Sequence, residues 1–436
     1  MTQTLHAGSV LLALASALLS ALFAYRGVIA LLGLFRTKEY PPARHLHRYA
    51  ILVAARNEEA VIGQLLESIR LLDYPAQLLH VFVVADNCTD ATAALARQGG
   101  AVCYERFDDT RCTKGYALQF LLHQIKRDYE NSPFEGYLLL DADNLLKSDY
   151  MLRMNDAFDS GEKIITGYRN TKNFLDSPLA ASYAFHWMRL SRMESRGRSV
   201  LGLPTRLTGT GFLFAAELVA DGWPYVTLTE DRAFTADAVL KGYHIAYQEA
   251  AQFYDEQPTS LPIALRQRIR WGKGHLQAMG EYGPALLRQL LRPGTWRRRL
   301  ALYDTLMTLL PTTVVYSALA AAKLLTQALL SVAAGQGLAA LPALLLGQAG
   351  TIAVGYLSTI PLAAVLLWTE WERLPKLSSS RVVLYCAVWP IFALLGDLGY
   401  LIALFSRVSW KPIPHRAAVG IGDLDGRTAE RSRRAG

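Results

Sequence analysis

Tyr49-Ala50-Ile51-Leu52-Val53-Ala54-Ala55-Arg56-Asn57-Glu58-Glu59 is apolar up to Ala55 and polar from Arg56 onward. A short apolar run bounded in this way has the length of a strand buried on both faces. Outward from it, Val61, Ile62, Leu65, Leu66 and Ile69 recur with helical period. Leu79-His80-Val81-Phe82-Val83-Val84-Ala85 repeats the pattern and ends at Asp86-Asn87-Cys88-Thr89-Asp90, a loop and helix-cap cluster. A helix over residues 91–98, a short strand over 101–105 and a helix over 117–125 follow. Gly136-Tyr137-Leu138-Leu139-Leu140 is a further strand, with Asp141-Ala142-Asp143 at its carboxyl end. This alternation predicts an α/β domain built on a mostly parallel sheet with helices on both faces. Ligands bind such sheets beyond the carboxyl ends of the strands. Glu58, Asp86 and the Asp141/Asp143 pair fall at such ends, so three loops are expected to meet at one crevice.

Apolar residues make up 52% of the chain and are unevenly spread. Residues 5–35 carry formal charge only at Arg26, residues 324–369 carry none, and residues 382–405 carry only Asp397. An uncharged run of that length exceeds any ordinary soluble helix and is long enough to cross a bilayer twice. The first block resembles a signal peptide in its small residues Ala15, Ser16 and Ala17. It lacks a basic residue before Val10 and runs too long, which favours an uncleaved anchor. Arg36, Lys38, Arg44 and Arg48 follow it and assign the next domain to the cytosol. The expected organisation is a membrane segment (1–36), a catalytic domain (48–260), interfacial amphipathic helices (261–300), a membrane region (301–406) and a basic tail (407–436). One span before the domain and three after it would leave the tail outside. Arg407, Lys411 and Arg416 argue instead for the cytosol, so either an apolar block is re-entrant, the long apolar region crosses an unexpected number of times, or the charge rule fails here.

Four cysteines without a CxxC spacing are expected to be free thiols. The formal net charge of +8 gathers partly in Arg288, Arg292 and Arg297-Arg298-Arg299, just ahead of an apolar block. That placement suits an anionic membrane surface better than nucleic acid.

Three clusters carry chemistry. Asp141-x-Asp143 is a loop feature of many proteins, and also the hard oxygen pair that holds Mg²⁺ or Mn²⁺ against two adjacent phosphates. Thr229-Glu230-Asp231 has the form of a helix cap, and also supplies a carboxylate able to take a proton from an acceptor hydroxyl. Gln267-x-x-Arg270-Trp271 lies in a basic and apolar segment suited to the bilayer surface. Its amide and guanidinium can clamp a diphosphate, and its indole can pack on a sugar. Lys114-Gly115 ahead of a helix offers a charge to a nucleotide. Gly209-Thr210-Gly211-Phe212 lacks the Lys-Ser/Thr of a P-loop and reads as close backbone approach near an acceptor. Arg427 and Arg431 form an Arg-x-x-x-Arg pair, read as a charged tail.

Together these residues resemble the membrane-embedded family 2 glycosyltransferases, the group of cellulose, chitin, hyaluronan and exopolysaccharide synthases. The resemblance runs over residues 51–279. It includes Arg56-Asn57-Glu58-Glu59, the segment from Val84 to Asp90, Asp141/Asp143, Gly209 to Phe212, Asp231, Asp255-Glu256-Gln257-Pro258 and the QxxRW signature. Asn87 stands where many members have a second Asp, and Arg268-Ile269 fills the variable pair of the signature.

The resemblance implies a Rossmann-like GT-A domain flanked by transmembrane helices. It implies Asp231 as catalytic base and Asp143 with Asp141 as ligands of Mg²⁺ or Mn²⁺. Glu58, Asp86, Lys114, Asp141, Gln267, Arg270 and Trp271 would bind the nucleotide-sugar, and no nucleic-acid partner is expected. Gly209, Thr210, Gly211, Glu230 and Trp271 would bind a glycan or lipid-linked acceptor. The implied enzyme is a multi-pass membrane protein in contact with membrane lipids, its domain cytosolic, its donor UDP-linked and its product a translocated polysaccharide. Single addition to a lipid is the rival enzyme reading. A transporter or a silent assembly subunit is the rival of another class, disfavoured by the intact acidic residues and by spans without ion-coupling groups.

Overall fold

The computed structural model describes residues 2–337, 339–408, 412–413, 415, 417 and 419–424. Lys411, Arg416, Arg427 and Arg431 lie outside the described residues.

The strands are β1 (Tyr49–Ala55), β2 (Leu79–Asp86), β3 (Val102–Arg106), β4 (Gly136–Asp141), β5 (Leu145–Leu146), β6 (Ile164–Thr171), β7 (Phe212–Ala215) and β8 (Ala246–Asp255). They form one sheet in the order β3-β2-β1-β4-β7-β6-β8-β5. Strands β1 to β4 are parallel, as the apolar runs predict, and that half is buried on both sides, by Val53, Val83 and Leu140 on one and Leu52, Phe82 and Leu139 on the other. The other half corrects the expectation of a mostly parallel sheet. β7 runs antiparallel to both β4 and β6, and β5 runs antiparallel to β8. The antiparallel β7 joins two parallel sets that no short βαβ crossover links.

One face packs Leu52, Phe82, Leu139 and Phe214 against Leu118, Leu121 and Trp223. The other packs Ile51, Val53 and Leu138 against Leu65, Ile69 and Met154. Each of these side chains contributes about 1.5–3 kcal/mol by leaving water.

Among the described residues, four segments are long and apolar enough to cross a membrane: Gln3–Phe35, Thr312–Ala333, Leu341–Thr369 and Ser379–Phe405. The first is fastened to the domain by glycines. A Cβ on Gly33 would meet the carbonyl oxygens of Arg192 and Met193 at 2.5 Å, and a Cβ on Gly197 would strike the Ile29 backbone. The last touches the domain along much of its length. Tyr385 packs on Phe174, Trp389 on Phe185 and Phe392 on Tyr183. Farther along, Gly399 meets Arg268, and Lys273 donates to the Ala403 carbonyl at 3.2 Å. The helix Ser379–Phe405 therefore runs beside Leu261–Leu290, the helix that carries Gln267, Arg270 and Trp271.

The chain then returns to the catalytic domain. Ile421 and Leu424 pack with Leu145 and Tyr254, and the Ala417 N–H donates to Glu256 at 2.9 Å. The described part of the C-terminal segment is thus packed on the α/β domain.

Candidate active site

A cavity of about 230 Å³ opens beyond the carboxyl ends of β1, β2 and β4. Glu58, Asp86, Lys114, Asp141, Asp143, Gly209, Glu230, Asp231, Gln267, Arg270 and Trp271 all line it. Thr210 and Gly211 do not. Thr210 is fully buried, and its hydroxyl accepts from the Asp141 N–H at 2.8 Å, so it supports the acidic turn from beneath. Gly211 has φ +64°, and a Cβ there would run into the Phe253 ring.

Two strand ends need left-handed backbone. Asn57 has φ 57° and Asn87 φ 52°, a conformation that asparagine tolerates better than most residues. Asn87 also accepts from the Asp108 N–H at 2.8 Å and donates to the Asp108 carbonyl at 3.1 Å. Aspartate cannot make that donor contact, a physical reason for asparagine at this position. Beside it, Asp86 accepts from Arg106, a partner the sequence did not single out.

The acidic turn is surrounded by cations. Lys114 ion-pairs with Asp141, donates to the Gly209 carbonyl at 2.7 Å and lies 3.8 Å from Glu230. Burial opposes its charge, but Asp141, Glu230 and Asp231 outweigh that and hold the ammonium above its usual range. Asp143 is only 4% exposed and accepts from the Glu256 N–H at 2.7 Å. Burial opposes its ionisation, yet His415, Lys172, that N–H and Arg169 together hold its carboxyl below the usual value.

Glu58 is met from the far end of the chain, where His415 Nδ1 lies 2.9 Å from Oε2. Burial works against the imidazolium, but Asp143 and Glu58 push it up to about 10. His415, Arg169 and Lys172 went unnoticed in the sequence. They stand outside the recognised motifs, and 357 positions separate His415 from Glu58.

Glu230 and Asp231 begin the helix Glu230–Lys241, where the helix dipole favours carboxylates. Thr229 makes no side-chain cap there. Burial pushes Glu230 up to about 7, with Lys114 opposing and Asp231 reinforcing the shift. Asp231 is turned toward the glycine loop: a Cβ on Gly209 would meet its Oδ2 at 3.9 Å.

The signature helix is seated close by, since a Cβ on Gly274 would stand 2.5 Å from the Thr229 side chain. Arg270 donates to the Leu228 carbonyl at 3.0 Å. Gln267 Oε1 is buried without a hydrogen-bond partner among the described residues. Trp271 packs edge-on to Tyr183 and Trp187.

No group of three or more His, Cys, Asp or Glu among the described residues has the arrangement of a complete metal cage. The carboxylates of Asp141 and Asp143 on the cavity wall still fit Mg²⁺ or Mn²⁺, which bind through one or two carboxylates completed by substrate phosphates.

Residues 47–274 match the family described as "Glycosyltransferase like family 2". The beta-monoglucosyldiacylglycerol synthase of Synechocystis is 28% identical over 281 residues, covering 61% of this chain and 55% of that protein. The poly-beta-1,6-N-acetyl-D-glucosamine synthase of Staphylococcus aureus is 25% identical over 236 residues, covering 52% and 55%. The chain spans about half the length of the curated relatives it matches. Among solved structures, a mannosyltransferase of Pyrobaculum calidifontis in complex with GDP-Man and Mn²⁺ superposes with a TM-score of 0.55. That likeness covers 89% of this chain and 99% of the other at 19% identity, and it bears on the fold, a GT-A fold. The family match takes in the sheet, the acidic turn and the signature helix as far as Gly274, and the chain belongs to the glycosyltransferase-like family 2.

Proposed function

We propose that this protein moves a sugar from a nucleotide-sugar, UDP-linked by the family resemblance, to an acceptor hydroxyl with inversion at the anomeric carbon. One observation carries the reading. Glu58, Asp86, Lys114, Asp141, Asp143, Asp231, Gln267 and Arg270, from widely separated segments, line a single cavity.

In this reading Glu58 and Asp86 hold the nucleoside end of the donor. Asp231 accepts the proton of the acceptor hydroxyl as its oxygen attacks the anomeric carbon. The bond from that carbon to the diphosphate oxygen breaks in the same displacement. Arg270 and Gln267 bind the departing diphosphate, the guanidinium through charge-assisted hydrogen bonds. Trp271 packs against the acceptor sugar. Mg²⁺ or Mn²⁺, held by Asp143 with Asp141, would offset the charge on the diphosphate. Glu230, beside Lys114, shapes the acceptor end of the cleft and sets the charge around Asp231.

The four apolar segments support residence in a membrane, with the domain on the cytosolic side by its basic flanks. We read Ser379–Phe405 as lying along the membrane surface beside Leu261–Leu290. The remaining two segments after the domain then form a hairpin of crossings, which agrees with the tail lying on the domain. Extension of a polysaccharide is the first reading of the product, and likeness to the poly-N-acetylglucosamine synthase supports it. Single addition to a lipid has its own support in the likeness to the glucosyldiacylglycerol synthase.

Purified full-length protein, screened with a panel of nucleotide-sugars, should release nucleoside diphosphate with at least one donor, lose turnover in chelator and recover it with Mg²⁺ or Mn²⁺. Radiolabelled product that extracts into organic solvent as a monoadduct would exclude the polymer. Absence of release with every donor and acceptor lipid would overturn the transferase reading.

A further inference from the structure

The wall of the cleft beyond Asp231 holds more positive charge than it pairs. Glu194 ion-pairs with Arg189, and its Oε2 lies 3.2 Å from Arg198. Arg198 donates to both oxygens of Asp304, at 2.7 and 3.2 Å, and Asp304 also accepts from the Tyr25 hydroxyl. Those two carboxylates are therefore committed. Arg206 and Arg232 stand in the same neighbourhood, and neither side chain has a hydrogen bond or ion pair among the described residues. Burial drives the Arg206 guanidinium down to about 10; Glu194 opposes this, while Arg232, Arg189 and Arg198 add to it.

Both arginines are part-buried, and both line the main cleft. Both also line a side chamber of about 20 Å³, room for about one water. Thr305, Thr308 and Leu309 form its opposite wall, on the helix Trp296–Leu309 just ahead of the apolar segment Thr312–Ala333. Cations without partners are costly in a protein interior, and two side by side cost more. Such a pair persists where an anion answers it.

We propose that Arg206 and Arg232 form an oxyanion subsite on the acceptor side of the cleft, taking a phosphate group carried by the acceptor. Two guanidinium forks that no carboxylate meets at ion-pair distance match a group with several acceptor oxygens and close to two negative charges. The donor's own diphosphate has other partners in Lys114, Arg270 and the metal turn. Arg232 directly follows Asp231, and Arg206 leads through Leu207 and Thr208 to Gly209, so the subsite borders the reacting hydroxyl. The inference rests on the reading of this cleft as a glycosyl-transfer site. The phosphate has two possible sources, a lipid headgroup reaching in beside Trp296–Leu309 or a soluble phosphorylated saccharide.

The test uses the full chain in maltoside micelles, which contain no phosphate, with UDP and Mg²⁺ at saturation to fill the donor site. Inorganic phosphate should raise the Tm of the wild type. R206Q and R232Q should each weaken that response about tenfold or more, the loss of a hydrogen-bonded charge, and leave the UDP response intact. Without phosphate the double variant should melt at or above the wild-type temperature, whereas a purely structural role for the pair predicts a lower one. R206K/R232K, which retains the charge, should keep part of the response and serves as the folded comparison. Mixed micelles with phosphatidic acid that compete with phosphate, where diacylglycerol does not, identify a lipid source; response to phosphate alone identifies a soluble one. A wild type that binds UDP but ignores both phosphate probes overturns the subsite and spares the transferase. So does an equal phosphate response in the double variant. A wild type that binds neither UDP nor GDP overturns the transferase reading and the subsite with it.

Discussion

His415 Nδ1 lies 2.9 Å from the Glu58 carboxylate, joining the C-terminal segment to the end of the first strand. Pro412, Ile413 and His415 line the same cavity as Asp141 and Asp231, so the segment forms part of the cleft wall. Removing the imidazole would leave Glu58 buried without that partner. H415A should therefore lower kcat/KM by about 10–100-fold, the worth of a charged hydrogen bond, chiefly through the KM for the donor. A donor titration of nucleoside diphosphate release measures it, and an unchanged KM would remove the segment from the site.

Asp231 faces the Gly209 loop and is the proposed base. D231N keeps the side-chain volume and removes the proton acceptor. Turnover should fall by about 10²–10⁴-fold, while the rise in Tm with UDP and Mg²⁺ stays at the wild-type value. Near-normal turnover in this variant with its correct donor would reassign the base.

Glu230 provides a pH signature. Its folded-state pKa of about 7 lies above the ordinary 4.5, so the folded protein holds the proton more tightly than the unfolded chain. Its contribution to stability is complete below about pH 4.5 and is lost as the pH rises through 7, with an upper bound of about 3 kcal/mol. E230Q should flatten this part of the stability profile and melt above the wild type at pH 8. Melting curves between pH 4.5 and 8.5 check the sign.

Gly274 sets the distance between the signature helix and the loop before Asp231. In G274V the new Cβ meets Thr229, and the loop, the helix or both must shift. Overpacking of this kind costs about 1–3 kcal/mol. Turnover should fall well below what the loss of folded protein explains, with T229S/G274V recovering part of it. Equal activity per folded molecule in wild type and G274V would show that the close approach is not used.

The sequence was legible where physics is local. β1 and β2 begin at the residues where their apolar runs begin, Tyr49 and Leu79, because a strand buried on both faces must be apolar throughout. Glu58, Asp86 and Asp141/Asp143 could be assigned to one crevice because parallel strands carry their loops to the same edge.

The antiparallel half was not legible. β5 has 2 residues and β7 has 4, too short for periodicity to show, and their pairing joins segments far apart in the chain. Arg206 and Arg232 belong to no motif in the sequence, and only packing gives Glu194 and Asp304 to other partners. Thr210 looked like a contact for the acceptor until its hydroxyl was found beneath Asp141. That Ile421 and Leu424 pack back on Leu145 and Tyr254 was likewise undecided by charge alone, since it depends on contacts between distant parts of the chain. The sequence by itself determined the strands, the acidic turn and the signature helix, because burial and chemical type are written residue by residue. The tertiary structure alone decided which charges are partnered and which face the cleft, because pairing depends on distances that only the folded chain sets.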